Sequence, residues 1–189
     1  MKVLIHICCA PCLMVPYHDL LGGNFDVRGF WFNPNIHPFT EYEERKGSLE
    51  AFAQQAGFEV IWKDEYDLEG FLRAVVFRES ERCRFCYHLR LSEAARYAKR
   101  GRFDYFTTTL LSSSYSKHDL IHEIGEQLAS EYGVGFLYRD WRPYWRKELE
   151  YSKQYGLYRQ QYCGCVYSEK ERYSKGGRKR RDQSSGQRQ

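Results

Sequence analysis

Long apolar runs are absent from this sequence. No segment approaches the roughly 20 consecutive apolar residues of a membrane-spanning helix. The opening run, Val3 to Ile7, has the length of a strand and falls short of a signal-peptide core. The expectation is a cytoplasmic protein with no membrane partner. Internal repeats are also missing, which excludes solenoids and propellers. Charge of one sign is scarce: the net charge is +4, and much of the excess sits in Arg178, Lys179, Arg180 and Arg181. That stretch is rich in Gly, Ser and Gln and has no apolar periodicity. It reads as a basic disordered tail, 173–189, behind a single α/β catalytic domain, 1–172, that ends in a helical C-x-C segment. Glycine is lacking in the loop after the first strand, so backbone N–H groups have no ready cradle there for a nucleotide phosphate.

What is plentiful is aromatic side chains, with 16 Tyr, 12 Phe and 4 Trp. They build cores and also suit flat partners such as bases. Strand and helix patterns alternate, which predicts a Rossmann-like, mostly parallel sheet. Strands are expected at 2–7, 26–32, 58–62, 104–110 and 134–138. Helices are expected at about 13–21, 40–56 (capped by Thr40, closed by Gly57), 68–76, 89–100, 116–132 and 143–155. Pro16 disfavours the first helix unless it lies in the first turn. In such sheets ligands sit beyond the carboxyl ends of the strands.

Seven cysteines form three groups: Cys8-Cys9-x-x-Cys12, Cys83-x-x-Cys86 and Cys163-x-Cys165. In a reducing compartment this usage points to metal or redox chemistry rather than to a disulfide framework. A C-x-x-C spacing at a helix start lets two thiolates reach one metal centre. Cys12 is three residues from Cys9 in helical phase, so it points into the same cavity. A Cys₄ zinc site and a [4Fe–4S] cluster both remain open; five thiols in two groups exceed what one tetrahedral zinc needs. For Cys163 and Cys165, a strained and easily reduced disulfide, free thiols and extra metal ligands are all open.

Six motifs occur in order. They are HICCAPC (His6 to Cys12), FNPNIHPFTEYEER (Phe32 to Arg45), CRFCYHLRL (Cys83 to Leu91), FDYFTTTLLSSSYSKHDLI (Phe103 to Ile121), FLYRDWR (Phe136 to Arg142) and YRQQYCGCVYS (Tyr158 to Ser168). Together they resemble the QueH-type epoxyqueuosine reductases. The resemblance implies a five-stranded Rossmann-like sheet related to the HUP and PP-loop enzymes. It implies conversion of epoxyqueuosine to queuosine at the wobble position of tRNA, without cobalamin. It implies a [4Fe–4S] cluster on Cys8, Cys9, Cys83 and Cys86, and a redox-active disulfide of Cys163 and Cys165. The chain departs from the family at Ser113 to His118, where S-P-Y-Q-N-H is more usual.

Removing an epoxide oxygen takes two electrons and two protons and leaves an alkene and water. The reaction needs an external electron donor, an electron carrier, and an acid or Lewis acid for the departing oxygen. Cys12 with a carboxylate is a candidate holder of a second, mononuclear iron, or a substrate contact. Asp140, beside Arg142, is the candidate acid. Arg45 is a candidate phosphate or ribose contact on a helix start that also carries Glu41 and Tyr42; pairing with Glu41 at i,i+4 explains it equally. Tyr115 and Tyr167 are candidates to stack on the flipped-out base. His37 and His118 read as loop or cap residues. Two other readings compete: an ATP-dependent PP-loop tRNA thiolase and a zinc-stabilised RNA-binding module without catalysis.

Overall fold

The computed structural model describes residues 1–174. Its central strand is β1 (Lys2–His6), in which Val3, Leu4 and Ile5 have no solvent exposure. A strand covered on both faces needs no polar alternation, so it reads as an unbroken apolar run. It pairs in parallel with β2 (Asp26–Trp31) on one side and β4 (Tyr105–Thr108) on the other. The edges are β3 (Val60–Trp62) and β5 (Gly135–Phe136). The five strands run in the order β3-β2-β1-β4-β5, all parallel. Around them lie α1 (Ala10–Gly22), α2 (Phe39–Ala56), α3 (Leu68–Val75), α4 (Arg82–Arg100), α5 (His118–Tyr132), α6 (Trp145–Gln154) and α7 (Val166–Tyr173). The Rossmann-like expectation holds. Among the described residues no helix is long and apolar enough to cross a membrane.

This strand order places the functional end. The chain runs outward from β1 to β3 and then returns to the other side of β1 for β4 and β5. The loops after β1 and β4 diverge, and a crevice opens between them. Buried polar groups tie its floor together. His6 at the end of β1 bonds Thr108 Oγ1 at 2.9 Å and the Phe32 carbonyl at 3.1 Å. Burial, helped by Arg90, lowers its pKa to about 4, so the ring is a neutral brace. Thr109 Oγ1 accepts from the Cys8 amide at 3.0 Å and donates to Cys8 Sγ at 3.2 Å.

Several boundaries differ from the sequence expectation. Helix α1 starts at Ala10, so Cys12 lies within it, and Pro16 is internal. Proline there removes the N–H that would bond the Cys12 carbonyl. Ser112 Oγ donates to that carbonyl instead, at 2.9 Å, which explains why the helix tolerates Pro16. Helix α2 begins at Phe39 after Pro38, with no side-chain cap from Thr40. Its end is as expected, with Gly57 at φ 61°. Helix α4 begins at Arg82 and takes in the second cysteine pair. Strand β4 stops at Thr108, and a tight turn, Thr109–Ser112, follows. Tyr173 closes α7, so it belongs to the folded part. From 175 onward the basic tail lies outside the described residues.

Candidate metal and redox site

The loop after β1 delivers Cys8 and Cys9 to the amino end of α1, and Cys12 follows one turn later. The three Sγ atoms all lie within 4.8 Å of one another and are buried. Helix-terminal N–H groups favour negative charge at such a position. Hydrogen bonds from the Cys12 and Cys9 thiols draw the Cys8 pKa well down against burial, and Thr109 adds to this. Burial pushes Cys9 up; bonding to Cys8 and then Cys9 pushes Cys12 up. Within the trio, negative charge is therefore favoured on Cys8 over Cys9 and Cys12. Ionising all three requires a cation, and a set made only of soft sulfur selects iron–sulfur or zinc. The residues fit such a group.

The other four cysteines occupy the first turn of α4 and the segment before α7. Burial raises the thiols of Cys83 and Cys86, with nearby cations opposing: Lys117 and Arg82 for the first, Arg90 for the second. Burial also pushes Cys163 up to about 12, with Cys86, Cys165 and Cys8 adding to it and Arg90 opposing. Cys163 therefore lies in electrostatic reach of both helix-start cysteine groups. The tight trio includes Cys12 with Cys8 and Cys9, and Cys83 and Cys86 stand outside it. All seven cysteines are free thiols, including Cys163 and Cys165.

A strap, residues 158–166, carries Cys163 to the crevice, with Cys165 following at the start of α7, and Arg45 holds it. This guanidinium, on α2, is 1% exposed. Its Nε donates to Glu41 Oε1 at 2.7 Å, Nη1 to the Cys163 carbonyl and Nη2 to the Tyr162 carbonyl, both at 2.9 Å. Burial opposes its charge, but Cys9, Glu41 and Cys8 outweigh burial and raise its pKa. Tyr158 donates to Glu41 Oε2 at 2.6 Å, and Tyr162 to the His37 carbonyl at 2.5 Å. The His37 amide donates to the Gly164 carbonyl at 2.7 Å, and the Val166 amide to His37 Nδ1 at 3.3 Å. Gly164 has φ 145°, and a Cβ there would meet Arg45 Nη1 at 3.2 Å and Ile36 Cγ1 at 3.3 Å. Both facts require glycine between the two cysteines.

The remaining candidates sort by geometry. Arg45 makes the i,i+4 pair and grips the strap, so its donors do not face a phosphate. Tyr42 is core: its hydroxyl donates to Asp64 at 2.5 Å and accepts from Trp31 at 3.1 Å. His37 is neutral, its pKa lowered to about 4 by burial and Arg90. His118 braces the Ser113 carbonyl at 3.3 Å and Tyr138 at 3.4 Å. Tyr167 packs on Phe71 and Arg82. Tyr115, 77% exposed, lines the cavity. Asp140 bonds Arg142 at 2.6 and 2.8 Å, and Arg142 holds its pKa to about 2, against burial. A carboxylate so ionised is no proton donor at neutral pH. Glu148 on α6, not singled out in the sequence, is the opposite case. Burial first, then Cys8, raises it to about 7. It falls between the fifth and sixth motifs, among other charged residues of a helix, and no spacing marks it.

The crevice is a cavity of about 270 Å³. Cys8, Cys12 and Cys163 line it, with Ser116, Tyr115 and Gln160. Gln160 also escaped the sequence reading; its Nε2 donates to Cys12 Sγ at 3.3 Å. Arg159 and Arg172 add positive charge to the wall.

Known proteins resemble this chain over most of its length. A family model described as "Epoxyqueuosine reductase QueH" matches residues 3–171. A protein of that name from Dehalococcoides mccartyi is 38% identical over 174 residues, covering 92% of this chain and 96% of the relative. Another, from Thermotoga maritima, is 36% identical and covers 92% and 93%. A third, from Haemophilus influenzae, is 35% identical and covers 88% and 71%. With three buried thiols at the carboxyl end of β1 and a matched family model over nearly all described residues, the chain belongs to the epoxyqueuosine reductase QueH family.

Proposed function

We propose that this protein reduces epoxyqueuosine to queuosine in tRNA, in the cytoplasm, with electrons from an external donor passing through a [4Fe–4S] cluster. The observation that carries this reading is the buried trio Cys8, Cys9 and Cys12, of which Cys8 and Cys12 line a cavity that Cys163 also lines. The family match supports the substrate. Cys8, Cys9, Cys83 and Cys86 are the proposed cluster ligands. Cys12 is then the thiol left for a second, mononuclear iron or for substrate.

When bound, the cluster would supply electrons one at a time, and a second iron held by Cys12 would supply a Lewis acid. The protein's residues do the rest. Two C–O bonds break, one C=C bond gains its second electron pair, and the oxygen leaves as water with two protons. Arg45 keeps positive charge beside the thiolates and holds the strap over the cavity. Cys163 and Cys165 are the proposed redox pair: closing to a disulfide releases two electrons and two protons, and an external reductant reopens it. Arg159 and Arg172 suit the RNA phosphates, and Tyr115 a base face.

The test is anaerobic purification followed by iron, sulfide and zinc analysis and turnover of epoxyqueuosine-containing tRNA with a strong reductant. Brown protein with four irons or more, acid-labile sulfide and turnover is expected. Colourless protein with stoichiometric zinc and no turnover would overturn the reading.

A further inference from the structure

Tyr144 and Trp145 are neighbours where the chain enters α6, and they are 48% and 58% exposed. Each carries a cation over its ring. Arg146 Cζ lies 5.5 Å from the Trp145 ring centre, and Lys147 Nζ lies 5.8 Å from that of Tyr144. The neighbouring Arg139 and Arg142 are paired with Asp19 and Asp140. Among the described residues, Arg146 and Lys147 have no ion-pair partner. The fold holds this patch in place. Trp141 is buried; its amide donates to the Leu111 carbonyl at 3.3 Å and its Nε1 to Asp19 Oδ2 at 2.8 Å. The Tyr144 amide then donates to the Trp141 carbonyl at 3.0 Å, with Pro143 fixing the turn between them. A backbone fixed in this way has little freedom left to lose on binding.

The patch lies at the rim of the crevice. Leu111, which anchors Trp141, directly follows the cavity-lining Leu110. Trp145 stands one turn before Glu148 on α6, the i,i+3 spacing that puts two side chains on one face. Glu148 in turn feels the charges of Cys8 and Arg159, both of which line the cavity. Basic side chains thus extend from Arg159 in the cavity wall to Arg146 and Lys147 outside it. Exposed rings beneath unpaired cations suit single-stranded RNA, whose bases stack on aromatic faces and whose phosphates take the positive charge. A protein partner fits less well, because the cores of protein interfaces are poor in lysine. We propose that Tyr144, Trp145, Arg146 and Lys147 form a docking surface for the anticodon loop of the substrate tRNA, with a base beside the wobble position stacked on Trp145 and an adjacent phosphate held by Arg146 and Lys147. This inference rests on the proposed epoxyqueuosine reaction and deepens it. The crevice takes the modified nucleotide, and this surface takes the RNA that flanks it, whatever the modification.

The experiment uses iron-loaded protein and anticodon hairpins of one sequence bearing epoxyqueuosine or plain guanine at the wobble position. Affinities are measured by fluorescence anisotropy over a series of salt concentrations. Trp145→Ala should bind both hairpins about five- to tenfold more weakly, with an unchanged salt slope. Trp145→Phe, which keeps a ring, should recover most of that loss. The double variant Arg146→Gln with Lys147→Gln should weaken both hairpins and lower the slope of log Kd against log salt by about one to two. Iron, sulfide and Tm should match the wild type, since these side chains lie at the surface. Should Trp145→Ala fail to fold, the double variant decides the matter alone, and an unchanged slope there overturns the surface. Wild-type affinity in a folded Trp145→Ala would overturn it too. So would a wild-type dimer in sedimentation equilibrium that Trp145→Ala turns into a monomer with unchanged hairpin binding, since the patch would then be a contact between copies of the chain. Wild-type turnover alongside any of these results leaves the reductase reading standing. No turnover in the wild type, with the expected losses in the variants, overturns the reductase reading and keeps the RNA surface.

Discussion

At the scale of single residues, Arg45 shows how a buried charge is made useful. It sits among Glu41, two strap carbonyls and the sulfurs of Cys9 and Cys8. Lysine keeps the charge but cannot span both carbonyls and Glu41 with one planar fork. Arg45→Lys should therefore keep its iron, exchange the amides of 158–166 faster by mass spectrometry, and lose about tenfold in kcat. Unchanged exchange in that segment would show that Arg45 does not hold the strap. Glu148 makes a pH-dependent claim. Its folded pKa of about 7 lies above the ordinary 4.5 because of burial first and Cys8 second. Between those values the folded state holds a proton that the unfolded state has released, so stability falls as pH rises from 4.5 to 7 and stays low above. Glu148→Gln cannot ionise. Urea denaturation should find it more stable than wild type by about 1 to 2 kcal/mol at pH 8, and no different at pH 4. A gain that appears only at low pH would contradict the account.

Among the elements, α1 is the one on which the site depends. Its unpaired Cys12 carbonyl, created by Pro16, is answered by Ser112 from the turn after β4. That bond fastens the first thiol group to the far side of the crevice. Ser112→Ala should cost about 1 to 2 kcal/mol in urea. Adding Pro16→Ala, which restores an N–H, should recover most of that loss; strict additivity of the two changes would show that the bonds are independent. The same helix shows what could and could not be read from sequence. Proline at 16 argued for a late start, because the serine that compensates it is almost a hundred residues away. The second cysteine pair was expected just ahead of a helix starting near Leu89, because Arg82 to Cys86 has no apolar stripe, yet it lies at the start of α4 itself. The sheet was legible for the converse reason: β1 is buried on both faces, so burial alone writes its pattern. Strand β5, two residues long, was overestimated because Leu137 and Tyr138 continue the apolar run past the last ladder pair.

For the whole molecule, the cysteine groups announced their chemistry through spacing, but their arrangement is a long-range property. The strap reaches Arg45 and Glu41 across more than a hundred residues, and no local pattern marks Tyr158, Gln160 or Tyr162 as its anchors. Asp140 looked acidic by position alone; its partner Arg142 fixes it as an anion. Three thiols form a tight buried trio and four more gather around the strap and α4, so the ligand set is the central question. The most direct measurement is the iron and sulfide content and electron paramagnetic resonance of anaerobically prepared protein, with Cys8, Cys9, Cys12, Cys83 and Cys86 each changed to Ala. The account predicts a reduced [4Fe–4S] signal in the wild type, its loss in the Cys8, Cys9, Cys83 and Cys86 variants, and its survival without turnover in Cys12→Ala. Full iron, sulfide and signal in Cys83→Ala and Cys86→Ala, with loss in Cys12→Ala, would contradict it and place the centre on the trio alone.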